Sequence, residues 1–311
     1  MQWVGLVAAG LPGLAALGAL LFTWMQVGQA SKELRISEQG QITTRFNTAI
    51  GNLGSQSLDI RLGGIYALRR IMEDSARDHP AVVSVLSAFA QEHAGSSTES
   101  LKEPFDDLTK ALGNRPKPDV QAAIDTLARR NPDRDAGAVI DLSKTDLRHL
   151  RFPGEAAIRL PRVVLIEADL RQASLTGADL RAANLYSAHL DNAWLDKANL
   201  QGAALYRASL AGAALWGANL RGVDRTCGEQ GPTKRGECVD LHDSQLSGAD
   251  LRNAKLSDVN LQHAFLQSAD LRGADLTRAN LAGADFSGAK LAGVKLEGAK
   301  RDGATGLPNE R

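Results

Sequence analysis

No Asp, Glu, Lys or Arg occurs between Gln2 and Val27, and over all 311 residues 36 Lys and Arg balance 36 Asp and Glu. A formal net charge of zero excludes whole-chain electrostatic attraction to nucleic acid or to an acidic membrane. With only two cysteines, a disulfide scaffold is excluded. Aromatic residues make up 5% of a chain whose hydrophobic share is 43%. Leu and Ala carry the apolar content, which suits a regular core of repeated small and medium side chains. A P-loop, a nucleophile elbow and an HExxH motif are all missing. The six histidines, at 79, 93, 149, 189, 242 and 263, are scattered. The chain therefore reads as no enzyme, with no cofactor, no nucleic-acid partner and no small-molecule substrate.

What is present begins with the uncharged run itself. As a helix, residues 3–25 would rise roughly 34 Å at 1.5 Å per residue, enough for a hydrocarbon core of about 30 Å. Trp3 and Trp24 stand at its two ends, where indole rings favour the interface. A cleaved signal peptide is the alternative, but no basic residue precedes the run. Lys32, Arg35 and Arg45 follow it. The positive-inside rule then predicts a single-pass bacterial inner-membrane protein, its membrane partnership made through 3–25 and its bulk cytoplasmic.

Residues 28–132 read as a helical domain. Leu58, Leu62, Ile65, Leu68 and Met72 form an apolar stripe behind Ser57 as a plausible N-cap, and Pro80 opens a helix burying Val82, Leu86 and Phe89. A further short helix is expected through Phe105, Leu108 and Leu112, and a last one from Pro118 to the stop at Pro132. "LDIRLGGIYALRRI" resembles one turn of an armadillo or HEAT-type repeat, with Gly63 and Gly64 allowing close helix approach. The longer stretch "TRFNTAIGNLGSQSLDIRLGGIYALRRIMEDSARDHPAVVSVLSAFAQEH" resembles the juxtamembrane helical region found before pentapeptide repeats in a group of bacterial membrane proteins. That resemblance implies no activity.

From Leu160 to Leu220 every fifth residue is leucine, 13 positions without a miss, and from Leu241 to Leu296 the frame holds for 12 more with Phe286 the one substitute. Alanine stands two residues before nearly every one. A period of five fits neither an α-helix nor a simple strand, so internal repetition decides the fold. "ADLRG", "ANLYS", "ADLTR" and "ANLAG" resemble the A(D/N)LXX motif of the pentapeptide repeat family. The resemblance implies a mostly β fold, a right-handed quadrilateral β-helix with twenty residues per coil. The expected layout is a transmembrane helix at 1–27, the helical domain at 28–132, the repeat at 139–300 with a loop insertion at 224–238, and a flexible tail at 301–311.

Reading every twentieth residue gives surface columns. Ile166, Tyr186 and Tyr206 share one; Thr176, Asp196 and Trp216 share the opposite one, with Trp194 beside it. Ile166, Tyr186, Tyr206, Trp194 and Trp216 form the candidate protein-contact surface, with ladder packing as the alternative. Asp250 with Arg252, Asp270 with Arg272, and Lys290 make a mixed-charge column. The interruption holds Cys227 and Cys238, a possible disulfide or thiol pair, and His242, which with them makes a weak candidate metal set. The family also includes acidic DNA mimics that protect gyrase, but residues 160–300 carry 16 acidic and 16 basic side chains, so that role is disfavoured. The expectation is a non-catalytic, membrane-anchored scaffold presenting a rigid β-helix to an unidentified protein in the cytoplasm, with homo-oligomerisation open. The alternatives are a gyrase regulator and a metal-dependent enzyme at Cys227, Cys238 and His242.

Overall fold

The computed structural model describes residues 22–29, 32–33, 40–100 (backbone only at 99 and 100), 115–154, 157–223 and 239–308. Its regular elements are helices: residues 22–29, residues 40–53, Leu58–Asp74, His79–His93, the single turn Ser97–Ser100, Pro118–Arg129 and the 3-10 turn Pro132–Arg134. Proline lies in the first turn of both the His79–His93 and Pro118–Arg129 helices, where its missing N–H costs nothing. Ile65, Leu68, Ile71 and Met72 of one helix pack with Val82, Val83, Leu86 and Phe89 of the next and with Val120, Ile124 and Leu127 of the last. Leu58, at the head of the expected stripe, is exposed, and Ser57 makes no side-chain cap bond. Of the glycine pair only Gly64 is at a close approach: a Cβ there would lie 2.8 Å from the carbonyl oxygen of Ala49, whereas Gly63 faces open space.

After Pro132–Arg134 the chain winds into coils of four five-residue units. Val164 pairs with Asn184, Asn184 with Ala204, and Asp179 with Asn199, all in parallel and each twenty residues on. Within one unit every backbone N–H is accounted for. Asp179 N–H donates to the Ile158 carbonyl of the preceding coil, and Leu180 N–H and Ala182 N–H donate to Asn199 and Gln201 of the next. Ala183 N–H closes a turn on the Leu180 carbonyl at 3.0 Å. That leaves Arg181 N–H, which the Asp179 carboxylate accepts at 3.3 Å. The same side-chain acceptance recurs at Asp169, Asn184, Asn199, Asn219, Asp250 and Asn280. The Asp or Asn before each leucine is therefore an Asx turn that satisfies the one amide the stacking leaves over.

Each turn has positive φ at the second residue after the leucine, the requirement of a type II turn. Glycine suits that position, yet Arg162, Glu167, Ala182 and Ser187 occupy it too, with φ between 53° and 57°. Such residues cost on the order of 1 kcal/mol each, a cost offset by inward Leu and Ala that are almost completely buried from Leu160 to Phe286. A fully buried leucine contributes roughly 2 kcal/mol.

Two expectations are corrected here. The first is the mostly β class, the right-handed quadrilateral β-helix behind a transmembrane helix. The described residues contain no strand. Each unit supplies a single bridged residue, and the turn that follows bends the chain away before a second consecutive pair can form. The rigid β-helix of the expected scaffold falls with it. The second is the membrane anchor. Among the described residues no helix is long and apolar enough to cross a membrane. Residues 3–21 of the expected span lie outside the described residues, and helical residues 22–29 rise only roughly 12 Å. The anchor, the membrane partnership, the inner-membrane and cytoplasmic placement and the function built on them are withdrawn.

The helices cover the first coil, whose backbone would otherwise present an unpaired edge. Ser87 Oγ accepts from Asp141 N–H at 2.8 Å and donates to its carbonyl at 2.9 Å. Arg159 N–H donates to the Ala128 carbonyl at 2.7 Å, and Ser96 bridges Thr145 in antiparallel fashion. At the centre of this joint Asp135, almost completely buried, accepts from Arg130 Nε and Nη2 at 2.9 and 2.6 Å and lies 3.1 Å from His79 Nε2. Arg130 Nη1 reaches across to the Arg159 carbonyl at 2.7 Å. One continuous apolar core runs from the helices into the coil.

Candidate contact surface

Four columns of bridged residues run along the coil, and their side chains point outward between the buried Ala and Leu. The column through Asp179, Asn199, Asn219, Asp250, Asp270 and Lys290 is charged. In it Arg181, Arg252 and Arg272 fork onto Asp179, Asp250 and Asp270, with Nη2 to Oδ2 at 2.6 to 2.7 Å. The hydrogen bond from Arg272 holds Asp270 at about 2, against the opposing effect of burial, with the Arg272 backbone N–H and Lys290 adding to the shift. Asp179 and Asp250 are lowered for the same reason. Because Asp270 has a folded pKa below its unfolded value of about 3.9, its stabilisation is complete above that pH and is lost as pH falls through about 2. Arg272→Ala is expected to return Asp270 toward the ordinary carboxylate range, read by carboxyl NMR titration. An unchanged titration would mean that the fork is not the cause.

A second column runs through Ser174, Trp194, Ala214, Gln245, Phe265 and Asp285. The step from Ala214 to Gln245 is 31 residues rather than twenty, because the interrupted coil carries eleven extra residues. Trp194 is 52% exposed, Trp216 beside it 54% and Phe265 42%. After Val139, these are the large hydrophobic side chains that stand exposed on the described coil, and all lie on this face. Two cations flank them: the Arg151 guanidinium lies 6.0 Å from the Trp194 ring centroid and Lys197 Nζ 5.1 Å from that of Trp216. Asp196 accepts from the Trp216 backbone N–H at 3.0 Å and so fixes the corner from which that indole projects. Ser247, Gln267 and Asp285 form a hydrogen-bonded row below Phe265, with Ser247 donating to Gln267 at 2.7 Å and Gln267 to Asp285 at 2.6 Å. Ser287 above all, then Thr305 and Gln267, hold the Asp285 carboxyl well below the usual carboxylate range.

The opposite column behaves differently. Tyr186 and Tyr206 stack with centroids 5.2 Å apart and, like Ile166, are partly buried. The expected five-residue surface is thus divided: Trp194 and Trp216 share an exposed face, while Ile166, Tyr186 and Tyr206 line the other side. Phe265 was missed, because a twenty-residue count cannot be carried across 224–238. Cys227 and Cys238 lie outside the described residues. His242 Nδ1 donates to Asp240 Oδ1 at 2.8 Å. Burial alone would lower its pKa, but that hydrogen bond and the charges of Asp240, Asp243 and Asp191 raise it. Among the described residues no group of His, Cys, Asp and Glu is placed to hold a metal ion.

Stacked twenty-residue coils of five-residue units define a repeat protein. The sequence profile of the pentapeptide repeats family matches in eight copies, over residues 164–202, 195–224, 237–273 and 269–300. HetL, a pentapeptide repeat protein involved in heterocyst differentiation regulation from the cyanobacterium Nostoc sp. strain PCC 7120, is 34% identical over 53% of this chain and 81% of its own, with a TM-score of 0.18. Rfr23 from the cyanobacterium Cyanothece 51142 is 33% identical over 36% of this chain and 62% of its own, with a TM-score of 0.19. The chain thus spans less than two thirds of Rfr23. Full-length QnrB1, a plasmid-mediated fluoroquinolone resistance protein, is 18% identical over 46% of this chain and 83% of its own, with a TM-score of 0.19. No match was found among curated proteins. Spatial likeness at these scores transfers nothing, whereas the repeat motif and the identity to HetL do: the chain belongs to the pentapeptide repeat family. The membrane-anchored membership expected from sequence is narrowed to the repeat itself. The family is characteristically non-catalytic, which agrees with the expectation of no enzymatic activity.

Proposed function

We propose that the chain works by binding another protein through the face carrying Trp194, Trp216 and Phe265. The observation that carries this reading is the convergence of all three exposed aromatic side chains of the coil on one side. From Trp194 to Phe265 is three coil steps, about 14 Å at the usual spacing between paired backbones. That span, with Ala214 and Gln245 between, makes a strip with aromatic side chains at both ends, bordered by Ser, Thr, Gln and two flanking cations, the composition of aromatic anchors with a polar rim. The Ile166, Tyr186 and Tyr206 stack is assigned to ladder packing.

The test is the triple variant Trp194→Ala, Trp216→Ala, Phe265→Ser. Its thermal unfolding should stay close to that of the parent, since the three side chains are exposed. Its affinity for the partner recovered by proximity labelling of the native chain should fall at least ~100-fold, the loss expected when central aromatic anchors are truncated. Binding at parental strength would refute the assignment.

A further inference from the structure

At the joint between helices and coil a cavity of about 250 Å³ is lined by Arg69, Arg129, Arg130, Arg134 and Arg159, together with Thr126, Asn131, His79 and Glu73. Five arginines and one acidic residue, Glu73, thus line its wall. Two of the five are committed at depth or at the rim: Arg130 to Asp135, and Arg129 to Asp125 at 2.8 Å. Arg69 uses Nε on Glu73 at 3.0 Å, and Arg134 one nitrogen on the Glu73 carbonyl at 3.2 Å. The Arg159 side chain is exposed and makes no hydrogen bond among the described residues. Donors therefore remain on at least Arg69, Arg134 and Arg159, and the acids beside the five arginines, Glu73, Asp125, Asp135 and Asp179, the last shared between Arg159 and Arg181, are one fewer than the arginines.

An independent observation points to a ligand. Thr126 is 1% exposed, lines this cavity, and its Oγ1 has no hydrogen-bond partner among the described residues. A buried hydroxyl left unsatisfied is costly and calls for an explanation. The oxygen is occluded in this rotamer, and a turn about χ1 would present it as a donor to an oxyanion in the cavity.

We propose that this cavity binds a phosphoryl group carried by a small metabolite. Planar guanidinium forks match phosphate oxygens in pairs, and the Thr126 hydroxyl supplies one further donor from the floor. The volume exceeds that of a single tetrahedral ion, which leaves room for part of the group to which the phosphoryl is attached. Ordering such a ligand would tie the last two helices to the first coil through Arg159.

The test is calorimetric titration and thermal unfolding of the full chain with inorganic phosphate, against acetate at matched ionic strength. Saturable phosphate binding with a rise in melting temperature is expected, and none with acetate. Arg134→Gln and Arg159→Gln should each weaken phosphate at least ~tenfold, as the loss of a charge-assisted bond does. Thr126→Val should also weaken it, while the unliganded variant melts no lower than the parent because the hydroxyl has no partner to lose. No saturable phosphate binding, equal response to acetate, or unchanged affinity in the Arg and Thr variants would each overturn the proposal.

Discussion

Arg130→Ala is expected to destabilise the chain by about 3–5 kcal/mol, the usual result of removing one partner from a buried ion pair. Asp135 would keep His79 as its remaining side-chain hydrogen-bond neighbour, inside a site where both Asp135 and Arg130 are almost completely buried. The loss reaches further than one pair, since the same guanidinium donates to the carbonyls of Leu127 and Arg159. It thus closes the end of the Pro118–Arg129 helix and holds the first coil at once. Arg130→Lys keeps the charge but not the fork, and should recover only part of the stability. Urea unfolding at neutral pH measures both. A cost below about 1 kcal/mol for Arg130→Ala would mean that the joint is held by apolar packing alone.

Leu200→Ala is the second large effect, expected at about 3–5 kcal/mol. Leu200 is fully buried on the coil axis between Leu180 and Leu220, in a stack with no loop or surface into which it can relax. The same change at Leu291 in the last coil, which is only partly buried, should cost less than half as much. Equal costs at the two sites would contradict an axis that is fully packed in the middle coils and loosens at the last.

Leu200 and its neighbours were legible because one short period places every one of them inward, and burial follows from the period alone. The Asp and Asn residues were legible as repeat chemistry, but not as acceptors for one particular amide, because that amide becomes conspicuous only when all five N–H groups of a unit are traced. Phe265 was illegible for a simpler reason: 31 residues, not twenty, separate Ala214 from Gln245. Arg130, Asp135 and His79 are up to 56 positions apart and carry no shared spacing. A repeat rich in inward Leu and Ala also suggests strands, yet turns at positive φ limit each unit to one bridge. The glycines marked those turns only in part, since charged residues such as Arg162 and Glu167 adopt the same backbone. The uncharged N-terminal run satisfied the length rule for a span, but no helix among the described residues has that character.

The neutral balance between residues 160 and 300 also acquires a structural form. Acids on the Asp179 column are neutralised by arginines two residues on, so the charged face is a row of closed pairs. The aromatic face, lacking such pairs, is where binding free energy can be gained by removing water.

Site-specific photocrosslinking in the native cell tests that division most directly. A benzophenone side chain is placed in turn at Gln245, Phe265 and Tyr206, the last on the opposite column. The account predicts one discrete protein adduct from positions 245 and 265, competed away by an excess of parental chain but not of the triple variant, and none from 206. Adducts of equal yield from 206, or none from 245 and 265 while the partner remains bound, would contradict it.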